Sequence, residues 1–387
     1  MSTALFVVAC ISLLVALHPF ITYPLSLFVI RRSMQTRAPT PAGAAQQPLD
    51  FAICVCAYNE ESVIESKVLN LLELRKREPT LQILIYVDAA GDRTADILRP
   101  YESQLDLVVS PRRNGKTHGM NLLSARAHAD ILVFTDANVM LDMNCLEDLR
   151  RHFADGAVGC VCGNLTYTNQ DASTTAATGS AYWRFEEALK RLESATGSMM
   201  GADGSIFAVR RSLRHAPPDH IIDDMYVSLM VLVQGYRVVQ AADVRAYEES
   251  ATDANEEFGR KVRIACQAFN VHRLLWPRLR RLDLLTRYKY VSHKLIRWLS
   301  IYFLGFAALI FFAALLSAGH SGVAGVFGAL LVGGAALGYF AAVKPFAQIL
   351  DLLLALAGAG LGVWRSLLGE RFQTWTPANS IRRNSSS

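Results

Sequence analysis

The sequence contains no C-x-x-C pair, no G-x-x-x-x-G-K-[ST] segment and no G-x-G-x-x-G after its first apolar strand, and each absence removes a class of function. Its seven cysteines (Cys10, Cys54, Cys56, Cys145, Cys160, Cys162 and Cys266) lack matching histidine spacing, which argues against a zinc site or a disulfide frame. The pairs 54/56 and 160/162 repeat with strand period instead, as small buried side chains would. Gly115-Lys116-Thr117 comes closest to a phosphate loop, but Ser110 stands where the first glycine belongs, so ATPase and dinucleotide readings fall away. The net charge of +5 is modest, and basic residues cluster between Arg273 and Arg297 beside an apolar segment. Without stacking aromatics interleaved through a polar domain, that cluster argues against a nucleic-acid partner and suits anionic membrane lipids.

What is present is uneven. Both ends of the 387-residue chain are apolar and the middle is ordinary. Residues 4–30 carry no charged side chain and Arg31-Arg32 follow, so 1–32 is expected to be a membrane anchor with its basic end in the cytoplasm. A cleaved signal peptide would need a basic start that Met1-Ser-Thr-Ala-Leu does not offer. Residues 33–48 are a Pro/Ala/Gln linker, 49–275 a cytoplasmic α/β domain, and 276–294 a basic interfacial segment. Two or three spans are expected in 295–365 and a polar tail in 366–387; the third span, Phe346–Trp364, is weakest because it holds Gln348 and Asp351. Charge and hydropathy disagree here. An anchor plus three spans would put the basic tail outside, so one segment is left to lie in the interface or re-enter, and the sequence does not choose it.

The central region is organised around Ile131-Leu-Val-Phe-Thr-Asp136-Ala-Asn138, an apolar, β-branched run that ends on polar groups. Such a strand delivers them to the crevice at the carboxyl ends of an open parallel sheet. Phe51–Cys56, Leu81–Val87 and Leu105–Val109 read as further strands, separated by helical patterns in βαβ rhythm. Acids at several strand ends, a Gly-Lys loop and an Asp-x-Asn describe a site for a charged, metal-bridged ligand such as a nucleoside diphosphate. Mg²⁺ or Mn²⁺ takes oxygen ligands, so Asp136 can hold the cation, and Lys116 can offset phosphate charge. Asp223-Asp224 open an apolar helix; helix capping would account for one acid, and a pair in a buried segment favours catalysis. For a nucleotide sugar, one of that pair serves as base toward an acceptor hydroxyl, while Lys116 and Arg263 stabilise the leaving diphosphate.

Assembled in order, residues 49–275 resemble the catalytic domain of family 2 glycosyltransferases of the membrane-bound type. Ala57-Tyr58-Asn59-Glu60 is similar to the family's first loop, Asp88-Ala-Ala-Gly-Asp92-Arg-Thr94 to its D-G-S-x-D-x-T, and Gly115-Lys116 with Asn121 to its G-K-x-x-x-x-N. Thr135-Asp136-Ala137-Asn138 is similar to T-D-A-D, Gly201-Ala-Asp203-Gly204 to an acceptor-side segment, and Asp223-Asp224 to the E-D pair. Ser292-His293-Lys294-Leu-Ile-Arg297-Trp298 and Trp375-Thr-Pro377 also resemble membrane-bound members. The resemblance implies a GT-A fold with a mostly parallel sheet and an inverting, nucleotide-sugar-dependent transfer. It implies donor binding by Tyr58, Glu60, Asp88, Lys116, Asp136 and Arg263, with Asp88 on the nucleoside. Asp203 and Gly204 would lie on the acceptor side, Asp136 and Asn138 would hold a divalent metal, and Asp224, with Asp223, would be catalytic. The setting would be polysaccharide assembly on lipid-linked or growing saccharide acceptors at the inner (cytoplasmic) membrane.

Two departures qualify this. Asn138 replaces the usual second metal-binding Asp with a neutral ligand, and Arg260-Lys-Val-Arg263-Ile264 keeps only the Arg of a processive Q-x-x-R-W. The missing Trp counts against the runner-up, a processive β-glycan synthase of the hyaluronan, chitin or cellulose type. A transporter is disfavoured by the absence of paired charges in the spans, and a non-catalytic sugar-nucleotide binder is supported by Asn138 alone.

Overall fold

In the computed structural model, residues 2–34, 49–168, 174–248, 254–341 and 343–375 are described. The linker expected at 33–48 and most of the tail therefore lie outside the described residues.

The chain opens with α1 (Ser2–Leu17) and α2 (Thr22–Ser33), bent by 61°. The apolar run 4–30 is thus built as two helices joined at a bend. Pro19 and Pro24 flank the bend, and a residue before proline is driven out of the helical region. α1, about 24 Å long, lies antiparallel to a later apolar helix, α11 (Ile296–Ser317): Phe6 meets Phe311 at 5.7 Å, and Ser12 Oγ donates to the Phe303 carbonyl at 2.9 Å. α2 turns away onto the central region instead. Tyr23 and Leu27 are fully buried against Leu189 there.

The central region follows as β1 (Phe51–Ala57), α3 (Ile64–Arg77), β2 (Gln82–Asp88), α4 (Thr94–Leu98), β3 (Asp106–Ser110), α5 (Lys116–Arg126) and β4 (Ile131–Asp136). Then come β5 (Met140–Leu141), α6 (Cys145–Phe153), β6 (Val158–Tyr167), α7 (Thr174–Ala195), β7 (Ile206–Arg210), α8 (Asp223–Val233), β8 (Arg237–Glu248) and α9 (Ala254–Leu279). One eight-stranded sheet has the order β3-β2-β1-β4-β7-β6-β8-β5. It is parallel across its first four strands; beyond them β7 runs antiparallel to both neighbours, while β6 and β8 are parallel. The strand order reverses at β1, so β1 and β4 flank the crevice where a ligand fits such a sheet. β8 is twelve residues long, and two bulges in its pairing with β6 let it continue past Gln240 to Glu248.

Strand alternation divides the core. Phe51, Ile53, Val55 and Ala57 face one layer with Val68, Leu71 and Leu149, while Cys54 and Cys56 face the other with Met120, Leu229 and Cys160. The paired cysteines are thus buried free thiols on one face, as their spacing suggested. Small side chains are needed there because α5 crosses closely: a Cβ on Gly119 would stand 2.3 Å from the Tyr86 ring and 2.7 Å from Cys56 Sγ. Gly119→Ala is therefore expected to destabilise the fold by about 1–3 kcal/mol through overpacking. A thermal unfolding midpoint equal to wild type would show that α5 can shift instead.

After α9 come α10 (Leu284–Tyr290), a π-helical turn (Val291–Leu295), α11, α12 (Ser321–Phe340) and α13 (Phe346–Leu367). Among the described residues, three helices, Leu284–Ser317, Ser321–Phe340 and Phe346–Leu367, are long and apolar enough to cross a membrane. Their contacts separate them. α12 folds back along α11, with Phe327 on Phe311 at 5.1 Å, so its last residues come level with the first turns of α11. At that level a Cβ on Gly338 would stand 2.8 Å from the Phe346 carbonyl oxygen, so α13 starts there. Yet Tyr302 Oη, also in an early turn of α11, donates to the Gly360 carbonyl at 2.8 Å. Two points of α13 about 21 Å apart along a helix thus sit at one height on α11. α13 runs across the bundle, alongside α9, where Gly362 abuts Val262 and Ala265 and Ser366 Oγ bonds Asn270 at 2.7 Å.

Candidate active site

The carboxyl ends of β1, β2 and β4 and the loop before α5 converge at the crevice. Asp88, the last residue of β2, is 0% exposed. Its oxygens accept from Asn114 N (2.7 Å) and Tyr86 Oη (3.2 Å), and from Gly115 N (3.0 Å) and Arg113 Nε (3.1 Å). Four donors reach this carboxylate, so Asp88 shapes the loop 111–115 at the edge of the crevice. The surface it builds belongs to other residues. The Arg113 guanidinium lies 3.3 Å from the centre of the Tyr58 ring, and it donates to the Trp375 carbonyl at 2.7 Å. Residues 372–375 run along this edge, tied by Gln267 to the Phe372 carbonyl and by Gln373 to the Asn114 carbonyl. Arg113 escaped the sequence reading; its only signal was the Pro-Arg-Arg-Asn run. Asn59 sits at φ +53° and accepts from Gly91 N at 2.8 Å, while buried Glu60 donates its N–H to Thr94 Oγ1 at 2.8 Å. These bonds pin the loops after β1 and β2 to each other, and Glu60 lies within that joint.

At the end of β4, Asp136 Oδ1 takes the Lys116 ammonium at 2.5 Å. Lys116 is the first residue of α5. Burial opposes its charge, but Asp136, Asp223 and Asp224 together hold it firmly protonated. Below the loop, fully buried Lys67 of α3 donates to Thr135 Oγ1 at 3.3 Å and to the Val139 carbonyl, gripping the Thr-Asp-Ala-Asn turn on both sides. A lysine inside an amphipathic helix pattern gave no hint of this. Asn138 Nδ2 donates to Glu248 Oε1 at 2.8 Å, which brings the far end of β8 to the site. Burial, with Asp136 adding to it, pushes the Glu248 carboxyl up to about 7.

Asp223 and Asp224 open α8 and are 3% and 9% exposed. Asp223 Oδ2 is buried without a partner among the described residues. Asp224 Oδ1 accepts from Met225 N at 2.5 Å, and Oδ2 faces Gly204. A Cβ at Gly204 would stand 3.0 Å from that oxygen and 3.2 Å from Lys116 Nζ, so this glycine is where the acid and the ammonium meet. Burial and the adjacent Asp223 raise the Asp224 carboxyl to about 7, the range of a general base near neutrality. Asp203 stands on the other side of Gly204, with Oδ2 held by Lys190 Nζ at 2.7 Å and by Cys162 Sγ at 3.3 Å. Arg263 bonds Gln267 at 3.4 Å and lies within electrostatic reach of Asp136. Asn121 is not at the site; it fastens α5 to the Pro217 carbonyl and Arg214.

The description Glycosyl transferase family 2 fits residues 52–215, the stretch that supplies the crevice loops and Lys116, Asp136 and Gly204. Residues 52–215 carry a family 2 glycosyltransferase domain. An N-acetylglucosaminyltransferase of Rhizobium sp. (strain N33) is 22% identical over 211 residues, covering 50% of this chain and 47% of that protein. The O-antigen chain rhamnosyltransferase WbaN of Salmonella anatum is 23% identical over 221 residues, covering 54% of this chain and 69% of the relative. The chain thus spans about half the length of the first of these relatives. Among solved structures, the mannosyltransferase PcManGT from Pyrobaculum calidifontis, in complex with GDP-Man and Mn²⁺, superposes with a TM-score of 0.73 at 21% identity. The match covers 95% of this chain and 99% of that one, so the shared fold takes in the apolar helices as well as the family 2 domain. The sheet is the mixed α/β arrangement of the GT-A fold.

Proposed function

We propose that the chain is an inverting glycosyltransferase that moves a sugar from a nucleoside diphosphate donor to a lipid-linked or growing saccharide acceptor. The observation that carries this reading is the meeting at Gly204 of a buried carboxylate with raised proton affinity, Asp224, and a diphosphate-ready ammonium, Lys116. Asp224 accepts the proton of an acceptor hydroxyl, whose oxygen attacks the anomeric carbon as the bond to the β-phosphate oxygen breaks. Lys116 and Arg263 take the charge that develops on the departing nucleoside diphosphate. Attack opposite the leaving group inverts the anomeric carbon, with no covalent sugar intermediate.

A divalent cation fits the donor set at the loop after β4. Asp136 offers a carboxylate, and Asn138, its amide nitrogen committed to Glu248, keeps its oxygen for a metal. Among the described residues no three His, Cys, Asp or Glu side chains surround a common point, so phosphate oxygens would supply much of the coordination. When bound, Mg²⁺ or Mn²⁺ neutralises the diphosphate as the leaving group departs.

The inner membrane, with the catalytic domain in the cytoplasm, is the setting this reading gives. α1, α11 and α12 are the crossings in it, and α13 lies along the surface beside α9. Arg31, Arg32 and residues 371–375 then share the domain's side, in keeping with the positive-inside rule. Exopolysaccharide, capsule or lipopolysaccharide assembly is the process such an enzyme serves. The test is nucleoside diphosphate release by detergent-purified protein from a panel of nucleotide sugars, with Mn²⁺, Mg²⁺ or chelator, and with or without membrane lipid extract. Release from one donor that needs both metal and lipid extract is expected. Absence of release from a protein that still binds nucleotide would leave a sugar-nucleotide binder and point to Asn138.

A further inference from the structure

The junction between the domain and the first turns of α11 is built from buried ion pairs, and nearly every charge in it is matched. His293 is 1% exposed and bridges Glu193 Oε1 at 2.8 Å and Glu186 Oε1 at 2.7 Å. Arg297 takes the other oxygen of Glu186, Met200 N donates to the other oxygen of Glu193 at 3.0 Å, and Tyr23 Oη adds a bond to Glu193 at 2.5 Å. Lys190 spans Glu187 and Asp203, and Lys289 is satisfied by the carbonyls of Glu193, Thr196 and Ser198.

Lys294 is the exception. It is half-buried, and it makes no hydrogen bond or ion pair among the described residues. It stands on the π-helical turn Val291–Leu295, a widened turn of the kind that re-aims side chains. Its Cε lies 3.8 Å from the place of a Cβ on Gly201, whose φ of +96° keeps that place empty. Met225 Cγ lies 3.5 Å from the same point, and Met225 follows Asp224 directly. An ammonium without a hydrogen-bond partner among the described residues therefore sits where α11 meets the domain, against Gly201, the first residue of the segment Gly201-Ala-Asp203-Gly204, and one residue's breadth from the proposed base.

We propose that Lys294 binds a phosphate of the acceptor, the group that joins its lipid tail to the sugar whose hydroxyl reaches Asp224. This rests on the glycosyltransferase reading. A sugar with its hydroxyl at Asp224 and its reducing end toward the membrane directs its phosphate at Lys294. Glu186 and Glu193 lie within electrostatic reach of this lysine, but their oxygens are taken by His293, Arg297, Tyr23 and Met200 N, so neither acid bonds the ammonium directly and its hydrogen-bond donors stay open to an anion. The same chemistry would also accept the phosphate of a bulk phospholipid headgroup.

The test uses full-length protein in detergent and farnesyl diphosphate as a soluble lipid diphosphate, with binding measured by calorimetry. Lys294→Gln is expected to weaken farnesyl diphosphate binding by about 10–100-fold, the value of one charge-assisted contact. Lys294→Arg should restore most of it, and the exposed-site control Arg281→Gln should bind as wild type. Equal affinity of Lys294→Gln and wild type would overturn the proposal. So would a result in which Lys294→Gln loses only binding to phosphatidylcholine vesicles containing phosphatidylglycerol, since that marks a headgroup contact. Nucleotide-sugar binding and release on the same samples separate the two levels: loss of farnesyl diphosphate binding in a protein that turns over no donor supports the phosphate site and sinks the transferase reading.

Discussion

Asp224→Asn is expected to lower turnover about 10²–10⁴-fold while leaving donor affinity near wild type. The amide keeps an oxygen for Met225 N, so the first turn of α8 retains its bond, but it has no lone pair of useful basicity for an acceptor proton. Donor binding rests on the loops after β1 and β4 and on Lys116, none of which the substitution removes. The same carboxyl sets the pH dependence. Burial and Asp223 raise it to about 7, so turnover by the wild type should climb about tenfold per pH unit up to that value and then level off. A profile flat from roughly pH 6 to 8 would remove Asp224 from the role of base.

That raised proton affinity has a cost in stability, with a definite sign. The folded state holds the Asp224 proton up to about 7, whereas an unfolded chain releases it near 3.8, so folding loses stability as pH rises from about 4 to 7 and carries the full penalty above 7. Asp224→Asn removes an ionisable group that the fold disfavours. The variant should match wild type in acid and exceed it by about 2–4 kcal/mol at pH above 7, read as a higher thermal midpoint. Gain of stability together with loss of activity is the signature of a strained functional group, and a merely structural aspartate would lose both.

The elements nearest the chemistry were the most legible in the sequence. The run 131–136 announces a buried strand by composition alone, and the paired cysteines mark a strand face through their spacing. Asp223-Asp224 stand out because two acids precede a helix that is apolar all round. What stayed hidden depends on contacts between distant segments. Asp88 matches a motif, yet its four donors come from 86 and 113–115, and only folding shows that they reach it. Lys67 looks like an ordinary helix lysine until α3 lies under the end of β4. The reach of β8 to Glu248 depends on bulges, which break the alternation that strand reading relies on. The crossing path of α13 follows from packing on α9 and α11, while hydropathy reports length and greasiness alone. Pro19 and Pro24 were visible breakers, and the unbroken apolar run around them hid their effect.

Asp136→Ala should act in opposite directions with and without metal, and that reversal is its most telling property. In the absence of a cation, Asp136 is a negative charge beside the place of a diphosphate, and it also occupies Lys116 through the 2.5 Å bond. Removing it frees the ammonium for phosphate, so in chelator the variant should bind nucleotide sugar at least as tightly as wild type. With Mn²⁺ the carboxylate becomes an anchor for the cation, and Asn138, a neutral amide already tied to Glu248, is a weak substitute. The variant should then bind donor about 100-fold more weakly than wild type or worse. Bound Mn²⁺ followed by electron paramagnetic resonance in the presence of nucleoside diphosphate provides a readout apart from activity, and its signal should shift toward free ion. Equal donor affinity of the two proteins in Mn²⁺ would remove the metal from Asp136, whereas weaker binding in chelator as well would mean that Asp136 positions Lys116 for the phosphate.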